Sequence, residues 1–124
     1  MIKSLLFVGL GGGTGCMLRY ICSHIGLKFF PSQVFPLGTF FVNILGCFLI
    51  GLFVGLAASK QVFDDKFRLL LATGFCGGFT TFSAFATENF KMIESGQWLM
   101  LAVYILGSVV GGLLAFWAGR SVVS

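Results

Sequence analysis

The stretch LGTFFVNILGCFLIGLFVGLAA, from Leu37 to Ala58, carries no charge, and Thr39 and Asn43 are its only clearly polar side chains. A helix needs about 20 mostly apolar residues to cross a hydrocarbon core about 30 Å thick, so this stretch can span a membrane. Three others match it. Trp98 to Gly119 is uncharged, with Trp98 and Trp117 near its ends, where indole rings settle at the membrane interface. Leu5 to Leu18 continues past Arg19 to about Ile25, and the long Arg19 side chain can snorkel to the nearer interface. Leu69 to Asn89 supplies the last. The pattern predicts an all-α integral membrane protein, one four-helix transmembrane domain over residues 1–124, with helices at about 4–26, 36–58, 69–90 and 97–120.

Composition points the same way. The chain has 124 residues, 57% hydrophobic and only 10% charged, with a mean hydropathy of +1.01. A soluble domain carries about 25% charged residues to cover its surface, so lipid must supply much of the solvent here. The net charge of +4 comes from eight basic residues spread over the inter-segment regions. There is no basic run and no basic–aromatic face, which argues against a nucleic-acid partner. Cys16, Cys22, Cys47 and Cys76 all lie in apolar segments without zinc-ligand spacing, and His24 has no companion histidine. They read as small buried hydrophobes. No A-x-A-like site follows the first apolar run, so it is expected to be a retained helix rather than a signal peptide. The connections, 28–36 (with Pro31 and Pro36), 59–68 (with Asp64 and Asp65) and 91–97, are short. Function is therefore expected within the membrane.

Gly9/Gly13, Gly11/Gly15, Gly51/Gly55, Gly74/Gly78 and Gly107/Gly111 are small-xxx-small pairs. In lipid these let helix backbones approach closely. Gly9 to Gly15 superficially resembles a dinucleotide-binding loop, but no strand precedes it and neither register supplies the third glycine. Basic residues are nearly balanced between the two sides. Lys3, Lys60, Lys66, Arg68 and Arg120 fall on one, and Arg19, Lys28 and Lys91 on the other. Five against three is a weak orientation signal. A chain so balanced is compatible with insertion in both directions and with an antiparallel homodimer.

The third segment is chemically distinct: TGFCGGFTTFSAFAT, Thr73 to Thr87. Gly77 and Gly78, followed by Thr80, Thr81 and Ser83, weaken a helical ladder. One reading is a close-packed helix whose hydroxyls bond back to carbonyls. The other is a helix broken near Gly77 to Thr80. A break frees carbonyl oxygens that suit a hard cation and amide hydrogens that favour an anion, and it is tolerated only where protein or a cavity surrounds it. Phe82 and Phe85, at i and i+3, project from one face. They are either lipid-facing rings or partners of the hydroxyl cluster.

The run Gly74-Phe-Cys-Gly-Gly-Phe-Thr-Thr-Phe-Ser-Ala-Phe85 resembles the signature of the Fluc (CrcB) family of fluoride channels. The likeness extends to Gly11-Gly-Gly-Thr-Gly15 with Arg19, to Pro36-Leu-Gly-Thr39 with Asn43 and Gly46, and to Leu106-Gly-Ser108. It thus touches all four helices. The resemblance implies an antiparallel dual-topology homodimer with two pores that exports fluoride passively and relieves its toxicity. It also implies a structural sodium ion, not transported, held by backbone carbonyls of Gly77 and Thr80 from both subunits. Phe82 and Phe85 would line each pore, with Asn43 as a donor, Thr81 and Ser83 beside them, and Tyr104 and Ser108 as part of a polar track on the last helix. Gly112, one turn on, offers no side chain to extend it. Arg19 and Gly78 are carried over as structural residues. The expected partners are fluoride, a second copy and membrane lipid, and the expected location is the cell inner (plasma) membrane, as a multi-pass protein.

The chemistry of the ion is compatible with this set. Fluoride is small and strongly hydrated, so a pore must replace its water with donors such as amide and hydroxyl groups. Aromatic ring edges are positive and can also face an anion. The main rival is a small dual-topology multidrug antiporter, which needs a membrane-embedded acid. The first, second and fourth helices contain none, and Glu88 lies beyond the third helix's central motif. A purely structural subunit would explain the glycines but not the cluster from Thr80 to Phe85. No nucleophile–base pair, metal set or carboxylate dyad points to an enzyme.

Overall fold

The computed structural model describes residues 1–29, 35–60 and 64–123. Pro31 and residues 61–63, assigned above to connections, lie outside the described residues. All regular structure among the described residues is helical: α1 (Ile2–Phe29), α2 (Leu37–Lys60), α3 (residues 65–79), α4 (Phe82–Glu94) and α5 (Trp98–Val122). Four segments are long and apolar enough to cross a membrane: Ile2–Gly26, Leu37–Ala58, Asp65–Glu94 and Trp98–Val122. The third contains both α3 and α4. The chain is a multi-pass membrane protein.

The third span starts before Leu69 because Asp64 caps it. The Asp64 carboxylate accepts from the Phe67 amide at 3.1 Å, satisfying a donor that a helix start leaves open. From Arg68 to Cys76 the backbone winds as a wider π-helix, a form that often accompanies functional sites. Gly77–Phe79 returns to α geometry. Gly77 itself is helical, with φ −62° and ψ −37°, so the paired glycines are not where helical dihedrals stop. Thr80 (φ −89°, ψ 158°) and Thr81 (φ −151°, ψ 116°) are extended instead. The two β-branched residues suit that geometry, and α4 then starts at Phe82.

Packing follows the glycines. α1 lies against α3, where Gly78 faces the Gly12 main chain so closely that a Cβ at Gly78 would collide with the Gly12 carbonyl. α2 pairs most extensively with α5. Between α4 and α5 the chain reverses at Gly96, whose φ of +72° is left-handed. The Gln97 amide bonds the Met92 carbonyl at 2.9 Å and the Gly96 amide bonds the Ile93 carbonyl at 3.1 Å, a helix stop that favours glycine at the turn. Few side chains are fully enclosed. Val42, Cys76, Phe79, Met92 and Tyr104 form the buried apolar set, while Leu, Val and Trp side chains point outward as lipid-facing helices require.

Candidate functional site

The extended pair Thr80–Thr81 must find partners for the backbone groups that a continuous helix would have satisfied. α2 supplies them through Asn43. The Thr81 amide donates to Asn43 Oδ1 at 2.8 Å, and Asn43 Nδ2 donates to the Thr81 carbonyl at 3.2 Å. The Thr81 hydroxyl then caps α4 by accepting from the Ala84 amide at 3.2 Å, and it shares a second 3.2 Å bond with Ser83 Oγ. On the other side of the interruption, the Thr80 amide and hydroxyl both donate to the Cys76 carbonyl, at 3.0 and 2.8 Å.

These diversions change the carbonyls. In a continuous helix the Thr81 amide would bond the Gly77 carbonyl and the Ala84 amide would bond the Thr80 carbonyl. Both amides are instead taken by side chains. Gly77 and Thr80, the two residues linked above to a cation, therefore present carbonyl oxygens stripped of their helical donors. The donor set is chemically suited to a hard cation such as sodium, which prefers neutral oxygen ligands at unwound backbone. The Gly78 carbonyl is different, because Arg19 Nε reaches across from α1 and donates to it at 3.1 Å. Arg19 thus ties α1 to the last turn of α3, and Gly78 makes the approach possible.

Two concavities flank the interruption, and Thr81 lines both. One, of about 450 Å³, is walled by Asn43, Thr80, Phe82, Phe85 and Ser108. Phe82 is 71% exposed. Its ring centroid lies 5.6 Å from that of Phe85, whose own ring sits 4.9 Å from that of Tyr104. Ser108 Oγ is buried with no hydrogen-bond partner among the described residues, which leaves a donor and an acceptor unused. The second concavity, about 430 Å³, brings together Arg19, Ser83, Thr87, Glu88 and Lys91. Ser83 faces this cleft rather than the one that contains the rings.

Tyr104 is fully buried. Its hydroxyl donates to Glu88 Oε1 at 3.1 Å, while the Thr39 hydroxyl donates to Oε2 at 3.0 Å. Its ring is held edge-on by Phe35, with centroids 5.2 Å apart. Sequence reading missed this Thr39–Glu88–Tyr104 network. The available signal was a carboxylate within a membrane span, which must find donors, with Thr39 one of two clearly polar groups between Leu37 and Ala58. Among the described residues no group of three His, Cys, Asp or Glu side chains converges as metal ligands.

Fold and site together define a small multi-pass membrane protein whose polar groups converge on an interruption in its third span. Residues 6–120 match the family described as "CrcB-like protein, Camphor Resistance (CrcB)", and the chain belongs to that family. It is 48% identical over 118 residues to a protein of Phocaeicola vulgatus named fluoride-specific ion channel FluC, covering 95% of this chain and 96% of that protein. Proteins of the same name from Azobacteroides pseudotrichonymphae (43% over 119 residues, 96% and 94% covered) and Flavobacterium psychrophilum (42% over 118 residues, 95% and 94% covered) are also similar.

Proposed function

We propose that this protein is a passive, fluoride-selective channel that lets fluoride leave the cell and so relieves its toxicity. The observation that carries the reading is identity of 42–48% along nearly the whole chain with relatives named fluoride-specific ion channels. The geometry supports it. The larger concavity offers the Ser108 hydroxyl, the remaining Asn43 amide hydrogen and the rings of Phe82 and Phe85. Ring edges and neutral donors can together replace fluoride's water. No lysine or arginine lines that wall, so the ion is held weakly enough to leave, as conduction requires. Arg19 and Lys91 border the other cleft and would concentrate anions at its mouth.

In this reading the Thr80–Thr81 interruption lies near mid-membrane, and two copies associate antiparallel in the inner membrane with one pore each. The carbonyls of Gly77 and Thr80 from both copies hold a sodium ion between them. When bound, that ion supplies a fixed positive charge and is not itself transported. Asn43 and Thr81 keep its carbonyl donors turned away from the helical ladder, and Arg19 holds the adjacent Gly78 carbonyl apart from them.

The test is efflux from liposomes carrying purified protein and loaded with either fluoride or chloride. Fluoride should leave without a proton gradient and chloride should stay. Comparable chloride flux would overturn the reading. Flux that required a proton gradient would point instead to a carrier built on Glu88, such as the small multidrug antiporter considered above.

A further inference from the structure

Cys47 on α2 and Cys76 at the end of the π-helical turn are two free thiols on different helices, and both line the 450 Å³ concavity beside Thr80 and Ser108. Neither has a role in the reading above. Around them the wall is apolar, formed by Ile50, Ala72 and Val109. Gly112 faces Cys47. A Cβ built there would stand 3.3 Å from the Cys47 sulfur, tighter than ordinary contact. The missing side chain at Gly112 therefore leaves room for the sulfur, at the position two turns along α5 from Tyr104 and one from Ser108.

We infer that Cys47 and Cys76 form a two-thiolate site for a soft, closed-shell monovalent cation of the silver(I) or copper(I) class. The ligand chemistry selects the ion. Thiolates prefer soft metals, and each thiol gives up its proton to solvent as the metal–sulfur bond forms. Zinc and iron are excluded by ligand number, since no third His, Cys, Asp or Glu converges there among the described residues and such ions take four ligands. A linear two-sulfur arrangement needs no third. An ion held there stands in the wall shared with Phe82, Phe85 and Ser108, where its bulk and charge would obstruct the concavity.

The experiment titrates silver nitrate into the purified full-length protein, with thiolate-to-silver absorbance and bound silver per chain as readouts. One tight equivalent is expected in the parent and in a Cys16→Ser, Cys22→Ser double variant. Cys47→Ser and Cys76→Ser should each weaken it by about a hundredfold or more, since loss of a ligand exceeds the 10- to 100-fold effect of losing a supporting partner. Size-exclusion profiles of the two variants check that each folds, and Cys47→Ala provides a second substitution if the serine is not accommodated. If tight silver survives loss of either thiol, or disappears with Cys16 and Cys22, the site is wrong. The binding readout does not depend on the fluoride reading. In proteoliposomes, silver should halt fluoride efflux from the parent, with recovery on adding dithiothreitol. Bound silver with undiminished efflux would remove the pair from the ion's route.

Discussion

Asn43 and Thr81 are joined by two reciprocal hydrogen bonds, amide to carboxamide oxygen at 2.8 Å and carboxamide nitrogen to carbonyl at 3.2 Å. A side chain on one helix thus takes the place of a backbone partner for an extended residue in another. That arrangement makes Asn43 a support of the interruption, and in the pore reading it has only its second amide hydrogen to offer an ion.

Two substitutions separate these roles. Asn43→Ala leaves the Thr81 amide unpartnered, at about 1–3 kcal/mol, and leaves the Thr81 carbonyl only the first bond of the helix it caps. Asn43→Asp still accepts from the amide but sets a negative charge against the Thr81 carbonyl and in front of an arriving anion. The aspartate variant should melt above the alanine variant in detergent, yet pass the least fluoride of the three proteins. Parental flux through Asn43→Asp would remove Asn43 from the pore wall.

The neighbouring glycines report on different contacts. A Cβ at Gly78 meets the Gly12 main chain, whereas one at Gly77 meets nothing within 4 Å in the same chain. Gly78→Ala should therefore destabilise the isolated chain, by about 1–3 kcal/mol as overpacking does. If two copies meet at the Gly77 carbonyl, Gly77→Val should leave the chain folded and act through the second copy, giving less dimer than the parent on cross-linking. A normal dimer with normal flux in Gly77→Val would contradict a subunit contact at that carbonyl.

Much of this was legible in the sequence. The uncharged run from Leu37 to Ala58 is enough to read a span, because length and apolarity alone decide whether a helix can cross lipid. The residues of the third-segment motif likewise point to an irregular backbone. Its location is harder to read: the glycines suggest themselves, but Gly78 is needed for the approach of Gly12 and stays helical, while Thr81 leaves the helix because Asn43 and its own hydroxyl offer other partners. Those partners sit 38 residues and three residues away, and the first is set only by how α2 packs. The same is true of Glu88, whose donors come from α2 and α5.

Tyr104 and Glu88 should act as a unit. Tyr104→Phe keeps the ring against Phe85 and Phe35 but removes the 3.1 Å bond to Glu88. The expected cost is about 1 kcal/mol of stability, with a several-fold loss of flux. Because Glu88→Gln disturbs the same bond, the double variant should lose less than the two single losses added together. Strict additivity in unfolding and efflux would mean the residues are not coupled.

Orientation is the next test, since five basic residues face three across the spans. A tag on the C-terminus should be detected on both faces of the membrane within one population. Adding several lysines to the 91–97 connection should fix one orientation and reduce flux, with recovery when an oppositely biased copy is co-expressed. A single orientation in the parent would contradict the antiparallel dimer.

Phe82 and Phe85 are the residues for which a lipid-facing role and a pore role predict different results. Phe82 is 71% exposed in one chain, which suits either lipid or a second copy, but Phe85 packs against Tyr104 at 4.9 Å and both rings border the concavity with Ser108. Isoleucine preserves bulk and apolarity while removing the ring quadrupole. If the ring edges meet the ion, Phe82→Ile, Phe85→Ile should express and assemble near normally while fluoride efflux falls at least about tenfold, which corresponds to about 1.4 kcal/mol on the barrier. Phe75 is the better control on the same span, because Phe79 is only 3% exposed and its replacement would cost packing as well. Phe75→Ile removes a ring stacked on Phe79 at 5.7 Å, outside the concavity, and should change stability more than conduction. A double variant that conducts like the parent would assign Phe82 and Phe85 to the lipid surface and leave Ser108 and Asn43 as the donors to examine.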